Sequence, residues 1–302
     1  MKKYALLLAL ALAAGFAQAQ TTPQVSIYGK IRQYQESYTL GTASALTRLT
    51  NDTSRLGFKA TSNVGNGITA SAVIETGISM DAPGATTLGD RTALFSLDSN
   101  FGSIGLGRDK HSVTRVLDNF DVMENAYGTS ATTIHNAQGS RLQNAVFVST
   151  PTLAGFKVNY AVSNSETAGV SNAQTASLEY TAGPVSATLA SYTNHANSSS
   201  TILGAKYTVA KTGTTVFGMY SDDKVSGVKS TGKSVGVRQA INPQVALLGS
   251  YGETSTGVTA KALGVAYAMS KSLTLHGRWA TIDNVGSVAD VKQYGVGVEY
   301  NF

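Results

Sequence analysis

Charged side chains make up only 14% of the chain, so their spacing matters more than their number. Arg55, Lys59, Arg141, Lys157 and Arg238, together with Lys30 and Arg32, fall at alternate positions of segments whose intervening residues are apolar. Arg91 joins them if its segment keeps the same alternation. Against these cations stand Asp118, Asp121 and Glu124, three residues apart, as on one face of a short helix. Guanidiniums on a wall and carboxylates on a facing segment would set a transverse field across a narrow slot. Such a field orders water, favours polar solutes and tunes ion preference. The pattern lacks the means for making or breaking bonds. The four histidines, His111, His135, His195 and His276, are scattered, with no GxSxG nucleophile signature near them. With no cysteine, a CxxC metal site is excluded, and neither metal nor cofactor is expected.

The chain opens with Lys2 and Lys3, an apolar run "YALLLALALAAGFA", and then Ala17-Gln18-Ala19. This is the pattern of a cleaved export signal over 1–19, with a mature start at Gln20 and a single domain over 20–302. Removing the two lysines takes the net charge from +5 to +3, and the basic residues do not cluster. That excludes a nucleic-acid partner. An ordinary soluble domain is roughly a quarter charged, well above this chain. Yet beyond the signal there is no apolar stretch near the ~20 residues of a spanning helix.

The elements that must position these charges alternate with period two. In "SRLGFKATS", Leu56, Phe58 and Ala60 oppose Arg55, Gly57 and Lys59. In "ITASAVIET", Ile68, Ala70, Ala72 and Ile74 oppose Thr69, Ser71, Val73 and Glu75. In "RLQNAVFVST", Leu142, Val146 and Val148 oppose Arg141, Gln143 and Ser149. Sixteen such segments fit the mature chain, at about 18 residues per strand with its connection. Tight turns ("VGNG", "FGS", "AGP", "NPQ") alternate with longer polar links ("DAPGATTLGD", "NSETAGVSN", "KVSGVKSTG"), as in a transmembrane barrel. The expectation is an all-β fold: a 16-stranded antiparallel transmembrane β-barrel. Closure is obligatory, because in hydrocarbon every backbone polar group must be paired within the protein. Sixteen strands leave an aqueous channel instead of a filled interior. A soluble sandwich or propeller fits less well, because the apolar face recurs on nearly every strand.

Two features stand apart. Residues 111–140 form a long connection carrying Asp118, Asp121 and Glu124 together with Val116, Leu117, Phe120, Val122 and Met123. Loops of this length are usually functional, and its apolar content predicts that it folds back into the lumen as a long third loop. The last strand, "QYGVGVEYNF", puts Tyr294, Val296, Val298, Tyr300 and Phe302 on one face and Gly295, Gly297, Glu299 and Asn301 on the other, towards the pore, and is expected to pair with the first strand near Val25.

In their order and spacing, "SRLGFKATSNVGNGITASAVIETG", "DRTALFSLDSNFGSIGLGRDKHS" and "RLQNAVFVSTPTLAGFKVNYAVS" resemble strands of the general porins of β-proteobacteria, and the C-terminal aromatic completes the set. The resemblance implies a homotrimer in the outer membrane that passes ions and small hydrophilic solutes by passive diffusion. It also implies a pore constriction with Arg55, Arg91 and Arg141 on the wall and Asp118, Asp121 and Glu124 opposite. Phe302 resembles the signal by which outer-membrane assembly machinery recognises its clients. The chain departs from the pattern in its polar, basic first strand "GKIRQYQES", its short loops and its "EYNF" ending, all of which bear on solute preference. A substrate-specific channel for small anions or carboxylates is the alternative. An outer-membrane enzyme is not expected.

Overall fold

The computed structural model describes residues 22–302 except 83, 85, 86 and 125–129. The expected signal over 1–19 and the start at Gln20 lie outside the described residues. The chain runs β1 (Gln24–Leu40), β2 (Leu46–Asn51), β3 (Arg55–Gly65), β4 (Ile68–Gly77), β5 (Thr92–Ser99) and β6 (Gly102–Lys110). Two short helices follow, α1 (Ser112–Phe120) and α2 (Ser130–Ile134). Then come β7 (Arg141–Ser149), β8 (Phe156–Ser163), β9 (Ala173–Ala182), β10 (Val185–Thr193), β11 (Ser199–Val209) and β12 (Thr214–Val225). The chain ends in β13 (Val228–Ala240), β14 (Val245–Thr254), β15 (Thr259–Ala268), β16 (Leu273–Asp283) and β17 (Val291–Asn301).

From β3 onward each strand pairs antiparallel with the next, and β17 returns to β1 in register from Lys30↔Asn301 to Leu40↔Val291. The cylinder is therefore closed, with no free sheet edge. Among the described residues its 17 strand segments make sixteen staves, because the two halves of β1 pair with β3 and with β2. These two segments are one stave broken at Asp52–Ser54, where Thr53 has φ 59°. Arg32 fills the break with its backbone. Its N–H donates to Ser54 Oγ (2.9 Å), and its carbonyl accepts from Asp52 N–H (2.9 Å).

The alternation read from sequence sorts the two faces. Val25, Ile27, Phe58, Ile74, Leu203, Val235, Leu263 and Val296 are exposed on the outside. Two outer rows of aromatic residues bound this band. Phe156, Tyr207, Tyr267, Tyr300 and Phe302 mark the end with short turns; Tyr220, Tyr251, Trp279 and Tyr294 mark the other. Amphipathic rings suit the two membrane interfaces. At the seam, Phe302 and Gly29 exchange backbone hydrogen bonds (2.9 and 3.1 Å). The Phe302 ring lies on Gly29 so closely that a Cβ there would meet it at 2.4 Å.

Two expectations are corrected. "KVSGVKSTG" is not a long link: β12 and β13 run on to a two-residue turn, Ser226-Gly227, with φ 48° and 87°. Positive φ at both positions matches the right-handed twist of a hairpin. Leu142 does not share the outer face with Val146 and Val148. The β6–β7 ladder slips between Gly107 and Asp109, Asn144 takes φ 52°, and Leu142 ends up 2% exposed among the inner apolar residues. A bulge reverses facing on one side of itself.

Candidate functional site

The segment between β6 and β7 lines part of the inner wall. His111 caps α1, its Nδ1 accepting from Thr114 N–H (3.3 Å), and its ring stacks on Tyr192 with centroids 4.0 Å apart. Val113, Val116, Leu117 and Phe120, spaced at helical intervals, are buried against Ala173, Ala190, Ile202 and Met219. The wall has small residues where the helix needs room. A Cβ on Gly204 would stand 2.5 Å from Phe120 and 2.7 Å from Val116. Beyond α1, Val122 and Met123 pack with Ala262 and Ala280. Burying each such side chain contributes about 1.5–3 kcal/mol.

Polar contacts fix the same segment at two further places. Glu124, with φ 58°, pairs with Arg32 through its carboxylate (2.9 Å), and its carbonyl accepts from Arg32 Nη1 (3.0 Å). Arg32 is 1% exposed and also meets Glu299 and Asp52. Lys30 reaches Glu299 (3.6 Å), and Arg278 approaches Asp52 (3.7 Å) while covering the Tyr34 ring at 4.0 Å. Farther along, His135 sits between the hydroxyls of Ser221 and Ser234, at 2.8 Å from each, and Ser221 donates to Asp223 (2.8 Å). Serine, histidine and aspartate meet here, but Asp223 does not orient the imidazole, and Ser221 and His135 are buried. The geometry is that of a fastening, with no access for a substrate. Burial pushes His135 down to about 4, and the same cause takes His111 to about 4 against the opposing hydrogen bond to the Gly139 carbonyl.

Across the lumen the wall is charged and less buried. Glu75 pairs with Arg91 (2.7 Å) and Arg55 (3.5 Å) and accepts from Tyr28 Oη (3.2 Å). Arg141 donates to Ser140 Oγ (3.1 Å), its Nε is buried without a hydrogen-bond partner, and Arg91, Glu75, Asp109, Arg108 and Asp90 are charges around it. Lys110 pairs with Asp118, and Arg115 with Asp109. Beside these pairs a recess of about 420 Å³ is lined by Asp98, Lys157 and Glu179 among others.

The expected residues thus divide. Arg55, Arg91 and Arg141 gather around Glu75. Arg91 gets there by preceding β5, since continued alternation with Ala93 and Phe95 would have turned it outward. The three acidic residues do not share a helix face, because α1 ends at Phe120 with Asp121 as its C-cap. Asp118 faces Lys110, Asp121 is buried and accepts from Met123 N–H (3.0 Å), and Glu124 goes to Arg32. Sequence reasoning counted Arg32 among the inner-facing cations but not in the constriction, and gave Glu75 and Glu299 an inner facing but no role. It missed Asp52, which lies in the break of the β2–β3 stave where alternation gives no signal.

A closed barrel of sixteen staves, apolar outside and charged within, has the form of an outer-membrane channel. The family model of the Gram-negative porins matches residues 5–302, and the chain belongs to that family. Membership and fold together place it in the outer membrane. The outer membrane porin protein 32 of Delftia acidovorans is 28% identical over 216 residues, 63% of this chain and 59% of that protein's length. Among solved structures, an anion-selective porin from Comamonas acidovorans superposes with a TM-score of 0.79 at 18% identity, covering 93% of this chain and all of the other. OmpT of Vibrio cholerae, solved in a trimer form, gives 0.69 at 15% identity with 93% of this chain and 100% of that one covered.

Proposed function

We propose that this chain forms a water-filled channel for passive diffusion of ions and small hydrophilic solutes across the outer membrane. The carrying observation is the division of the barrel interior: one side is covered by α1 with Val122 and Met123, and the opposite side keeps the charged group around Glu75. Passage follows the charged side. Three guanidiniums, Arg55, Arg91 and Arg141, stand there around Glu75, with Asp90 and Asp109 also beside Arg141 and Asp118 on the segment opposite. Guanidiniums on the open side support a preference for anions, the selectivity named for the Comamonas porin. A channel specific for small anions or carboxylates is the second reading, supported by the same arginines. Three copies assemble side by side, as in the trimer form of the Vibrio protein. The aromatic Phe302 serves assembly, and Phe302→Ser should cut the amount of assembled protein in the outer membrane.

Planar-bilayer recording tests the proposal. Stepwise conductance with a reversal potential on the anion side of a salt gradient is expected, together with non-saturating flux of sugars and amino acids into proteoliposomes. Saturable uptake confined to carboxylates would favour the specific channel. Absence of conductance would overturn both.

A further inference from the structure

The recess of about 420 Å³ inside the barrel falls in the range of roughly 300–1,000 Å³ where small-molecule sites occur. Its roof is the polar edge of α1, and its back wall is the inner face of β5–β9. Register sets one straight row across that wall. Asp98 is opposite Ser103, Ser103 is opposite Ser149, and Ser149 is opposite Asn159. The row runs from a carboxylate through two hydroxyls to an amide, on four neighbouring strands. Lys157 lies two residues from Asn159 on the same face of β8, and Leu94 and Phe147 add apolar lining beside the row.

The charges of the recess are unequally engaged. In the roof, Lys110 pairs with Asp118 and Arg115 with Asp109. On the back wall Asp98, Lys157 and Glu179 make no ion pair among the described residues. Lys157 and Glu179 are direct cross-strand partners, yet the Glu179 carboxylate accepts from Asn159 Nδ2 (2.7 Å). That hydrogen bond engages the carboxylate and leaves the Lys157 ammonium for a solute. At the other end Asp98 accepts from Ser96 Oγ (3.0 Å), which leaves acceptor capacity on its carboxylate. A bare anion entering here would meet two carboxylates for one ammonium, and a bare cation would leave Lys157 unanswered. A molecule with both charges, held apart, complements both ends. The backbones of β5 and β8 are three strand spacings apart, about 14 Å. Side chains converging from the curved wall shorten the gap between the charges to about 10 Å, the span of three extended residues at about 3.3–3.6 Å each.

We propose that this recess binds short zwitterionic peptides of two or three residues. The peptide ammonium meets Asp98, its carboxylate meets Lys157, and its amide groups exchange hydrogen bonds with Ser103, Ser149 and Asn159. The site lies beside the charged group around Glu75 and adds a solute class that simple diffusion does not select. It rests on the reading of the lumen as water-filled.

The test is equilibrium dialysis of the full-length protein in detergent micelles against labelled triglycine, N-acetyl-triglycine, triglycine amide and glycine. Wild type should hold triglycine about tenfold more tightly than either blocked peptide, each of which loses one charged contact, and more tightly than glycine, which cannot span the row. Lys157→Gln should lower triglycine to the level of the amide without weakening the amide. Asp98→Asn should lower it to the level of the acetylated peptide without weakening that peptide. Equal binding of all four probes, or no binding of triglycine, would overturn the proposal. Full retention of N-acetyl-triglycine would also overturn it, by revealing a plain anion site, as would undiminished triglycine binding in both variants. Bilayer conductance of wild type separates the two readings. Its persistence without a peptide preference would sink this inference alone, and its absence would sink the channel reading and this one with it.

Discussion

The two sides of the barrel interior are built from opposite materials. Along β9–β15 the inner wall is rich in alanine, glycine and serine, and a folded segment lies on it with Phe120, Val116 and Leu117 buried. Along β3–β5 the wall carries Arg55 and Glu75 with Arg91 beside them, and among the described residues no helix packs on these strands. The first side behaves as a domain core that happens to be inside a cylinder; the second behaves as a wet surface. The difference teaches that strand number alone does not set the bore. Small residues on one side decide where a loop docks, and what is left over becomes the path.

The strongest way to break that contrast is at Arg32, where the docked segment meets the seam. Arg32→Met leaves Asp52 and Glu299 without their buried cation and frees Glu124, so thermal unfolding should show a loss of about 3–5 kcal/mol. An unchanged melting temperature would mean that the network is not what holds the segment. Phe120→Ala comes next. It opens a cavity between α1 and the wall at a cost of up to about 3 kcal/mol or slightly more, and single-channel conductance should rise as the helix loosens. If conductance stays at the wild-type level, the segment does not limit the pore.

Acid should act on the same fastening. His135 and His111 are held near 4 when folded against about 6.5 when free. Their contribution is therefore complete above about pH 6.5 and is lost as pH falls towards 4, because only the released segment takes up the protons. Current noise should grow through that window, and His135→Gln should flatten the response. Noise independent of pH in the wild type would contradict the role of the histidines.

The smallest effect is expected on the charged side. Arg55 and Glu75 are only partly buried, so Arg55→Ala should change stability by less than about 1 kcal/mol. It should nevertheless move the reversal potential towards the cation side, because it removes one of the guanidiniums around a retained carboxylate. A shift the other way would place the conducting path elsewhere in the lumen.

Much of the architecture was legible from alternation. Phe58, Ile74 and Val296 read as outer residues and are outer; Lys30, Arg32, Glu75 and Glu299 read as inner and are inner. The readings that failed did so where period two is interrupted. Leu142 lies beyond a bulge, the outward phase of β5 does not extend to Arg91, and the turn at Ser226-Gly227 is hidden inside a polar stretch. Asp118, Asp121 and Glu124 kept their spacing but not their common face, because α1 ends at Phe120.

The sequence by itself determined the two-faced strands, the closing partnership of the first and last of them, and which charges point inward, since side-chain facing along a strand is a local property. Only the tertiary structure decided which charges meet. Arg32 and Glu299 are 267 residues apart, and their contact depends on the register at which the cylinder closes. Glu124 comes to the same guanidinium only because α1 finds Gly204 and its neighbours on the far wall. Local spacing carries no information about either, because both follow from how the closed wall and the docked segment fit together.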